Sequence, residues 1–250
     1  MLVLPLVELP WTESGGVVFS AVGVLTFLSV LTGMWVTVRR AKALGLDPDL
    51  TYSLLRYALL GAFAFSHVAV LVLDRWDLVI QNPWLWIQPH FSMSSSYVLM
   101  GGVLGILLWK WRGKVLKPAP YVDCLAYAFP FAWIFGRLGC TFSHDHKGTF
   151  SSFPLAVMYP DGARHNLGMY ELFLITLIAI AFLWADKQHA TRVRSTPYFF
   201  VAFFFCLYAP VRFGLDFLRV EGGRTLGLTL SQYLCIAGLA VGLYLLRRRR

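Results

Sequence analysis

An all-α integral membrane protein, with seven transmembrane helices, its N-terminus outside and its C-terminus inside, is the fold this sequence predicts. Three observations carry the prediction. Hydrophobic residues fill 58% of the 250 positions and charged residues only 14%, a balance that ordinary soluble domains do not have. The apolar residues stand in repeated long runs suited to crossing a bilayer. Lys and Arg gather in clusters after every second run, as they do in cytoplasmic loops.

The first thirteen residues have no basic leader and carry Glu8 and Glu13, so the first apolar run reads as a true span rather than a cleaved signal. Residues 1–15, with prolines and Trp11, read as an interfacial lead. Gly16–Val38 is the first span, closed by Arg39, Arg40 and Lys42. Asp47-Pro48-Asp49 predicts a loop and a helix start, since proline suits the first helical position. Leu54–Leu73 is the second span and contains His67, a candidate for hydrogen bonding within the membrane. Residues 74–96, with Pro83, Trp84, Trp86 and Pro89, predict an arm lying at the interface. Tyr97–Trp109 is a short third span whose Gly101, Gly102 and Gly105 allow close helix packing or room for a lipid chain. Lys110, Arg112, Lys114 and Lys117 follow it. Tyr121–Phe135 and Tyr170–Trp184 are the fourth and fifth spans, flanking a polar head of about residues 137–169. Pro197–Val211 and Gly227–Leu246 are the sixth and seventh, the last running into Arg247–Arg250. Residues 1–250 thus read as a single transmembrane domain.

The clusters after spans one, three, five and seven place those loops inside. The formal charge of +9 then reports topology and anionic lipid rather than nucleic acid. Cys124, Cys140, Cys206 and Cys235 show no paired spacing, which argues against a disulfide framework or a metal site. His144-Asp145-His146 lacks a spaced third ligand, so no metal is expected there. No glycine-rich nucleotide loop and no GxSxG are present, and no cofactor is expected.

The outer side is depleted in basic residues, yet Arg137, Arg164, Arg212 and Arg219 stand there singly, among glycines and aromatics. Topology does not explain them. Arg137 directly follows an apolar run, where an ionisable group is costly without a partner and is a functional candidate. Gly136 and Gly139 bracket it and Gly148 lies beyond, offering backbone amides free of Cβ. A buried arginine beside bare amides suits a phosphate group. Arg212, Asp216 and Arg219 share one helix face at i, i+4 and i+3 spacing and predict an ion-paired row. Arg164-His165, just before Tyr170-Glu171, forms another basic pair at a membrane boundary.

These blocks carry a resemblance. GRLGCTFSHDHKG at 136–148 resembles the GRxGNFxNxExxG signature of the prolipoprotein diacylglyceryl transferase family. RHNLGMYE at 164–171 is similar to its RHPSQLYE, and RFGLDFLR at 212–219 to its RFxxEFxR. LMGGVLG at 99–105 resembles its HGGLIG segment, WVTVRRA at 35–41 the basic end of its first span, and GLTLSQYLCIAG at 227–238 the GLTMGQ-type start of its last. The four central blocks occur in the family's order. Met100 stands where the family has the HGG histidine, Cys140 and Ser143 where it has asparagines, Thr141 where it has phenylalanine, and Asp145 and Asp216 where it has glutamates.

The resemblance implies a bacterial inner-membrane enzyme, its site facing the periplasm. Such an enzyme transfers the diacylglyceryl group of phosphatidylglycerol to a lipobox cysteine of a prolipoprotein and releases glycerol phosphate. It places Arg137 and Arg212 on the family's essential arginines, to stabilise charge on the departing phosphate. With Met100 unable to take the thiol proton, His144 and His146 are the expected substitutes, with His165 the third candidate. The lipid and acceptor are expected to meet Gly101, Gly102, Gly136, Gly139, Cys140, Ser143, Asp145, Gly148, Arg164, His165, Tyr170, Glu171, Asp216 and Arg219. The other class of function compatible with these residues is a phospholipid-binding paralogue with an accessory or regulatory role.

Overall fold

The computed structural model describes residue 4 and residues 11–14, 17–87, 94–113, 115–144, 146–220 and 223–248. The chain forms two compact units, Val38–Val122 and a second made of Met1–Thr37 with Asp123–Arg250.

In the smaller unit, Asp47 caps helix α2 (Pro48–Ala69): its carboxylate accepts from Asp49 N at 2.8 Å, and Pro48 occupies the first turn as expected. The helix continues as a π-helical turn to Asp74. His67, inside this span, donates from Nε2 to the carbonyl of Trp86 at 3.2 Å. The predicted interfacial arm is two short pieces, α3 (Trp76–Gln81) and a 3-10 turn at Pro83–Trp86. Val79 and Leu85 bury against Leu71, while Trp84 and Ile87 stay exposed. Pro89 lies outside the described residues. Helix α4 (Ser95–Arg112) packs on α2 through glycine. A Cβ on Gly101 would overlap the Gly61 carbonyl, and one on Gly105 the carbonyl of Tyr57. The two backbones touch there, so these glycines serve helix packing. Met100 packs against Ala69, Val70 and Tyr97.

The larger unit begins with a hairpin, β1 (Trp11–Ser14) and β2 (Val17–Ser20), followed by α1 (Ala21–Ala43). The first span therefore starts five residues later than Gly16, because Val17–Ser20 pair as a strand. Helix α5 (Ala119–Ser143) does not stop at Phe135. It carries on through Gly136, Arg137, Gly139, Cys140 and Ser143. A glycine costs a helix only about 1 kcal/mol, and packing outweighs that. At Gly139 the backbone lies against Val22 and Leu25 of α1. The expectation of bare glycine amides beside Arg137 is thus corrected: those amides lie within a helix. The head shortens to the segment between α5 and α6 (Leu167–Gln188).

That segment is a three-stranded antiparallel sheet of β3 (Lys147–Phe150), β4 (Val157–Tyr159) and β5 (Gly162–Asn166), in the order β3-β5-β4. Helix α7 (Ala190–Ser195) leads to α8 (Phe199–Leu215), which ends in a 3-10 turn at Asp216–Leu218. Among the described residues, Tyr198 at its N-cap position makes no side-chain capping bond. Instead Asp123 of α5 accepts from Phe200 N at 2.7 Å and Val201 N at 3.2 Å, satisfying amides that a helix start leaves open. A second hairpin, β6 (Arg224–Thr225) and β7 (Leu228–Thr229), leads into α9 (Leu230–Arg247). The core of this unit is aromatic: Tyr127 meets Phe200 edge-on at 4.8 Å between ring centroids, and Phe204 stacks on Tyr208 at 5.0 Å.

Among the described residues, five helical segments are long and apolar enough to cross a membrane: Ala21–Ala43, Pro48–Asp74, Leu167–Gln188, Phe199–Leu218 and Leu230–Arg247. Helices α4 and α5, the other two expected spans, carry Lys110 and Arg112, and Asp123 and Arg137, respectively.

Candidate active site

The site is a chain of buried charges strung across α5, α6, α8 and the 3-10 turn that follows α8. Arg137, two residues past the end of α5's apolar stretch, is 2% exposed. Its Nη2 meets Glu171 Oε2 at 2.7 Å, and its guanidinium lies 5.2 Å from the centroid of Trp133, one helical turn back. Glu171 sits in the second turn of α6 and is 1% exposed. Its Oε2 also accepts from the Tyr208 hydroxyl at 2.9 Å, and its Oε1 lies 3.6 Å from Arg212 Nε. Arg212, in the last turn of α8, donates from Nη1 to Asp216 Oδ1 at 2.6 Å. Arg219 Nη1 reaches the same oxygen at 4.0 Å. The row predicted from i, i+4 and i+3 spacing is present, although α8 gives way to a 3-10 turn in the middle of it.

One carboxylate therefore holds both arginines that the sequence singled out. Charges this deeply buried persist only when paired and hydrogen-bonded. Arg137 Nε nevertheless has no hydrogen-bond partner among the described residues, although it is shielded from solvent.

The head strands extend the row. Gly148 of β3 bridges to Arg219, and a Cβ at Gly148 would stand 2.7 Å from His165 Cβ and 3.2 Å from the Leu218 carbonyl. Only glycine lets the strand come so close. The bridge carries Arg219 to His146, whose Nδ1 lies 3.3 Å from Arg219 Nη2. A guanidinium only donates, so Nδ1 accepts and the neutral ring bears its proton on Nε2. His144 is held similarly. Asn166 caps α6 by accepting from Met169 N at 3.1 Å, which fixes its amide orientation. Its Nδ2 then donates to the Thr141 carbonyl at 3.0 Å and to His144 Nδ1 at 3.3 Å.

The remaining candidates disperse. Arg164 is committed to Asp161 through Nε and Nη2, at 3.0 and 2.8 Å, and to the Gly148 carbonyl, and its guanidinium lies 3.6 Å from the Phe150 ring centroid. His165 Nδ1 meets the Tyr170 hydroxyl at 2.8 Å. Cys140 backs onto Gly168, where a Cβ would stand 2.9 Å from the Cys140 carbonyl. Ser143 donates to that carbonyl at 3.4 Å. Gly101 and Gly102 belong to the smaller unit, and Asp145 lies outside the described residues. Sequence reasoning missed Tyr208 and Trp133. Each stands four residues before its arginine, on the same helix face, and that spacing was the available signal.

Burial pushes the His165 ring below the ordinary histidine range near 6.5. A neutral ring is thus favoured in the folded head, and the stability it contributes is full above about pH 6.5 and declines as the pH falls below that. Amide exchange of β5, corrected for its intrinsic pH dependence, is expected to quicken below about pH 6.5, and His165→Gln to flatten that response. An unchanged profile in the variant would assign the effect elsewhere.

Comparisons with known proteins identify the family. The family model described as prolipoprotein diacylglyceryl transferase matches residues 12–248. A protein of Nitratidesulfovibrio vulgaris named phosphatidylglycerol--prolipoprotein diacylglyceryl transferase is 27% identical over 265 residues, covering 100% of this chain and 97% of its own. One of that name from Chromohalobacter salexigens is 26% identical, covering 88% of this chain and 85% of its own. Another from Zymomonas mobilis is 29% identical, covering 80% of this chain and 72% of its own. With a family match spanning nearly the whole sequence, the chain belongs to the prolipoprotein diacylglyceryl transferase family.

Proposed function

We propose that the protein transfers the diacylglyceryl group of phosphatidylglycerol to the cysteine thiol of a lipobox peptide, with glycerol phosphate leaving. The observation that carries this reading is the charge balance of the row. Among the described residues, Arg137, Arg212 and Arg219 face Glu171 and Asp216, which leaves one positive charge, and all of them but Arg219 are deeply buried. A phosphodiester bears one negative charge and would neutralise it. Among the described residues Arg137 Nε offers an unused donor, and Arg212 turns Nε and Nη1 to carboxylates, so that Nη2 is the proposed contact for a ligand oxygen. As the thiolate sulfur bonds to the glyceryl carbon and the C–O bond to phosphate breaks, charge grows on the departing phosphate. Guanidinium groups already held in place stabilise that charge without reorganising.

The membrane arrangement belongs to the same proposal. Helices α4 and α5 complete seven spans, the N-terminus lies outside, and the head faces the periplasm of a bacterial inner membrane. The Lys/Arg distribution supports this. A reporter cysteine at Ser152 is expected to react with an impermeant label in intact spheroplasts; reaction only after the membrane is opened would invert the topology.

The thiol must lose its proton, because the thiolate is the nucleophile. Protonating His146 would place a second cation against Arg219, whereas the Asn166 amide on His144 Nδ1 is neutral. His144 is therefore the proposed base, and His146 holds Arg219. Across about pH 6 to 9, His144→Ala is expected to lose rate by about 10²–10⁴ at low pH and to recover partly as thiolate forms unaided. His146→Ala is expected to lower the rate evenly. The reverse pattern would exchange the two roles.

A further inference from the structure

The start of α9 lies outside the arginine row, yet two of its residues are built into it. Thr229 is 7% and Gln232 0% exposed, and both side chains are polar. The Thr229 hydroxyl donates to Asp216 Oδ2, the oxygen that Arg212 does not use. The same Oγ1 accepts from Gln232 N at 3.2 Å, while Gln232 Oε1 accepts from Thr229 N at 3.0 Å. This reciprocal pair is a capping box, which by itself explains only how a helix begins.

Two further contacts exceed what a cap requires. Gln232 Nε2 donates to the carbonyl of Phe213, the residue following Arg212, at 3.2 Å. Thr229 spends its one hydrogen on a carboxylate of a different element. The contacts close a ring: Arg212 to Asp216, Asp216 to Thr229, Thr229 to Gln232, and Gln232 back to the backbone beside Arg212. The ring lies where α8 loosens into its 3-10 turn, the point at which the backbone alone would hold Arg212 least firmly.

We infer that Thr229 and Gln232 are positioning residues for Arg212. They fix the rotamer of Asp216 and the last turn of α8, and so aim the Nη2 edge of Arg212 at the lipid phosphate. Neither residue touches substrate. Their contribution passes through Arg212, and the inference rests on the proposed transfer reaction only for its kinetic form.

The chemistry of the ring predicts different responses to different changes. Thr229→Val keeps the shape but leaves Asp216 Oδ2 buried without a donor, and Arg212 then shares a carboxylate free to rotate. Thr229→Ser keeps the donor. Gln232→Glu keeps the acceptor for Thr229 N and loses the donor to Phe213 O.

The test measures transfer from phosphatidylglycerol to a lipobox peptide in detergent micelles, with lipid binding and thermal melting measured on the same samples. Thr229→Val is expected to lower kcat by about 10- to 100-fold, on the scale of a lost preorganised donor contact. Thr229→Ser is expected to stay within about threefold of the parent, and Gln232→Glu to fall between them. In an Arg212→Lys background, Thr229→Val is expected to add little, because the group it aims is already gone. Parent-like turnover in a folded Thr229→Val protein would overturn the inference. So would a Thr229→Ser protein as impaired as the valine variant, or a full additional loss in the Arg212→Lys background. If the parent transfers nothing, the proposed reaction fails. The positioning role is then decided by phosphatidylglycerol binding, which Thr229→Val must weaken about tenfold and Thr229→Ser must not.

Discussion

Arg137→Lys is expected to lower diacylglyceryl transfer by about 10²–10³, nearly as much as Arg137→Ala, because preorganised donors of this kind carry effects of that size. Arg137 holds Glu171 with Nη2, lies beside Trp133 and keeps Nε without an acceptor among the described residues. A lysine ammonium can pair with Glu171. It cannot also present a second, planar donor edge, and it stacks poorly on an indole. The lysine protein is expected to remain folded while its affinity for phosphatidylglycerol drops. A lysine variant with full lipid binding and turnover would mean that Arg137 only anchors the end of α5.

Glu171→Gln is the second large effect, and it falls on stability. The side chain of Glu171 is the only carboxylate among the described residues that contacts both Arg137 and Arg212. Its amide replacement leaves two buried guanidiniums facing each other with half their counter-charge gone. Removing one partner of a buried ion pair costs about 3–5 kcal/mol, because the survivor stays uncompensated. Thermal unfolding in detergent is expected to show a large loss for Glu171→Gln. The surface pair Arg164–Asp161, with Asp161 well exposed, is a control in which Asp161→Asn changes little. If Glu171 were only a substrate contact, the glutamine protein would melt with the parent.

The membrane-crossing helices were legible because hydrophobic runs and Lys/Arg clusters are local properties of sequence. So was the Arg212–Asp216–Arg219 row, which needs only helical spacing. The end of α5 was not legible. Gly136 and Gly139 read in sequence as bare amides beside Arg137, and what keeps them helical is packing against α1, which no window of sequence contains. Glu171 was named as a contact for substrate, while its place between Arg137 and Arg212 depends on α6 lying across α5 and α8. The histidines of the head show the same limit: their acceptor nitrogens are set by Arg219 and Asn166, residues 73 and 22 positions away. A three-stranded sheet was invisible in a stretch whose strands have three to five residues each.

The central claim is that a row of buried guanidiniums activates a phospholipid toward thiol attack. It is tested most directly by incubating the purified protein with headgroup- and acyl-labelled phosphatidylglycerol and a lipobox peptide. The account predicts that diacylglyceryl thioether on the peptide cysteine and free glycerol phosphate appear in equal amounts, and that neither appears with Arg212→Ala. Phosphatidylglycerol bound to the parent protein with neither product formed would contradict it, and would identify a phospholipid-binding member of the family without transfer.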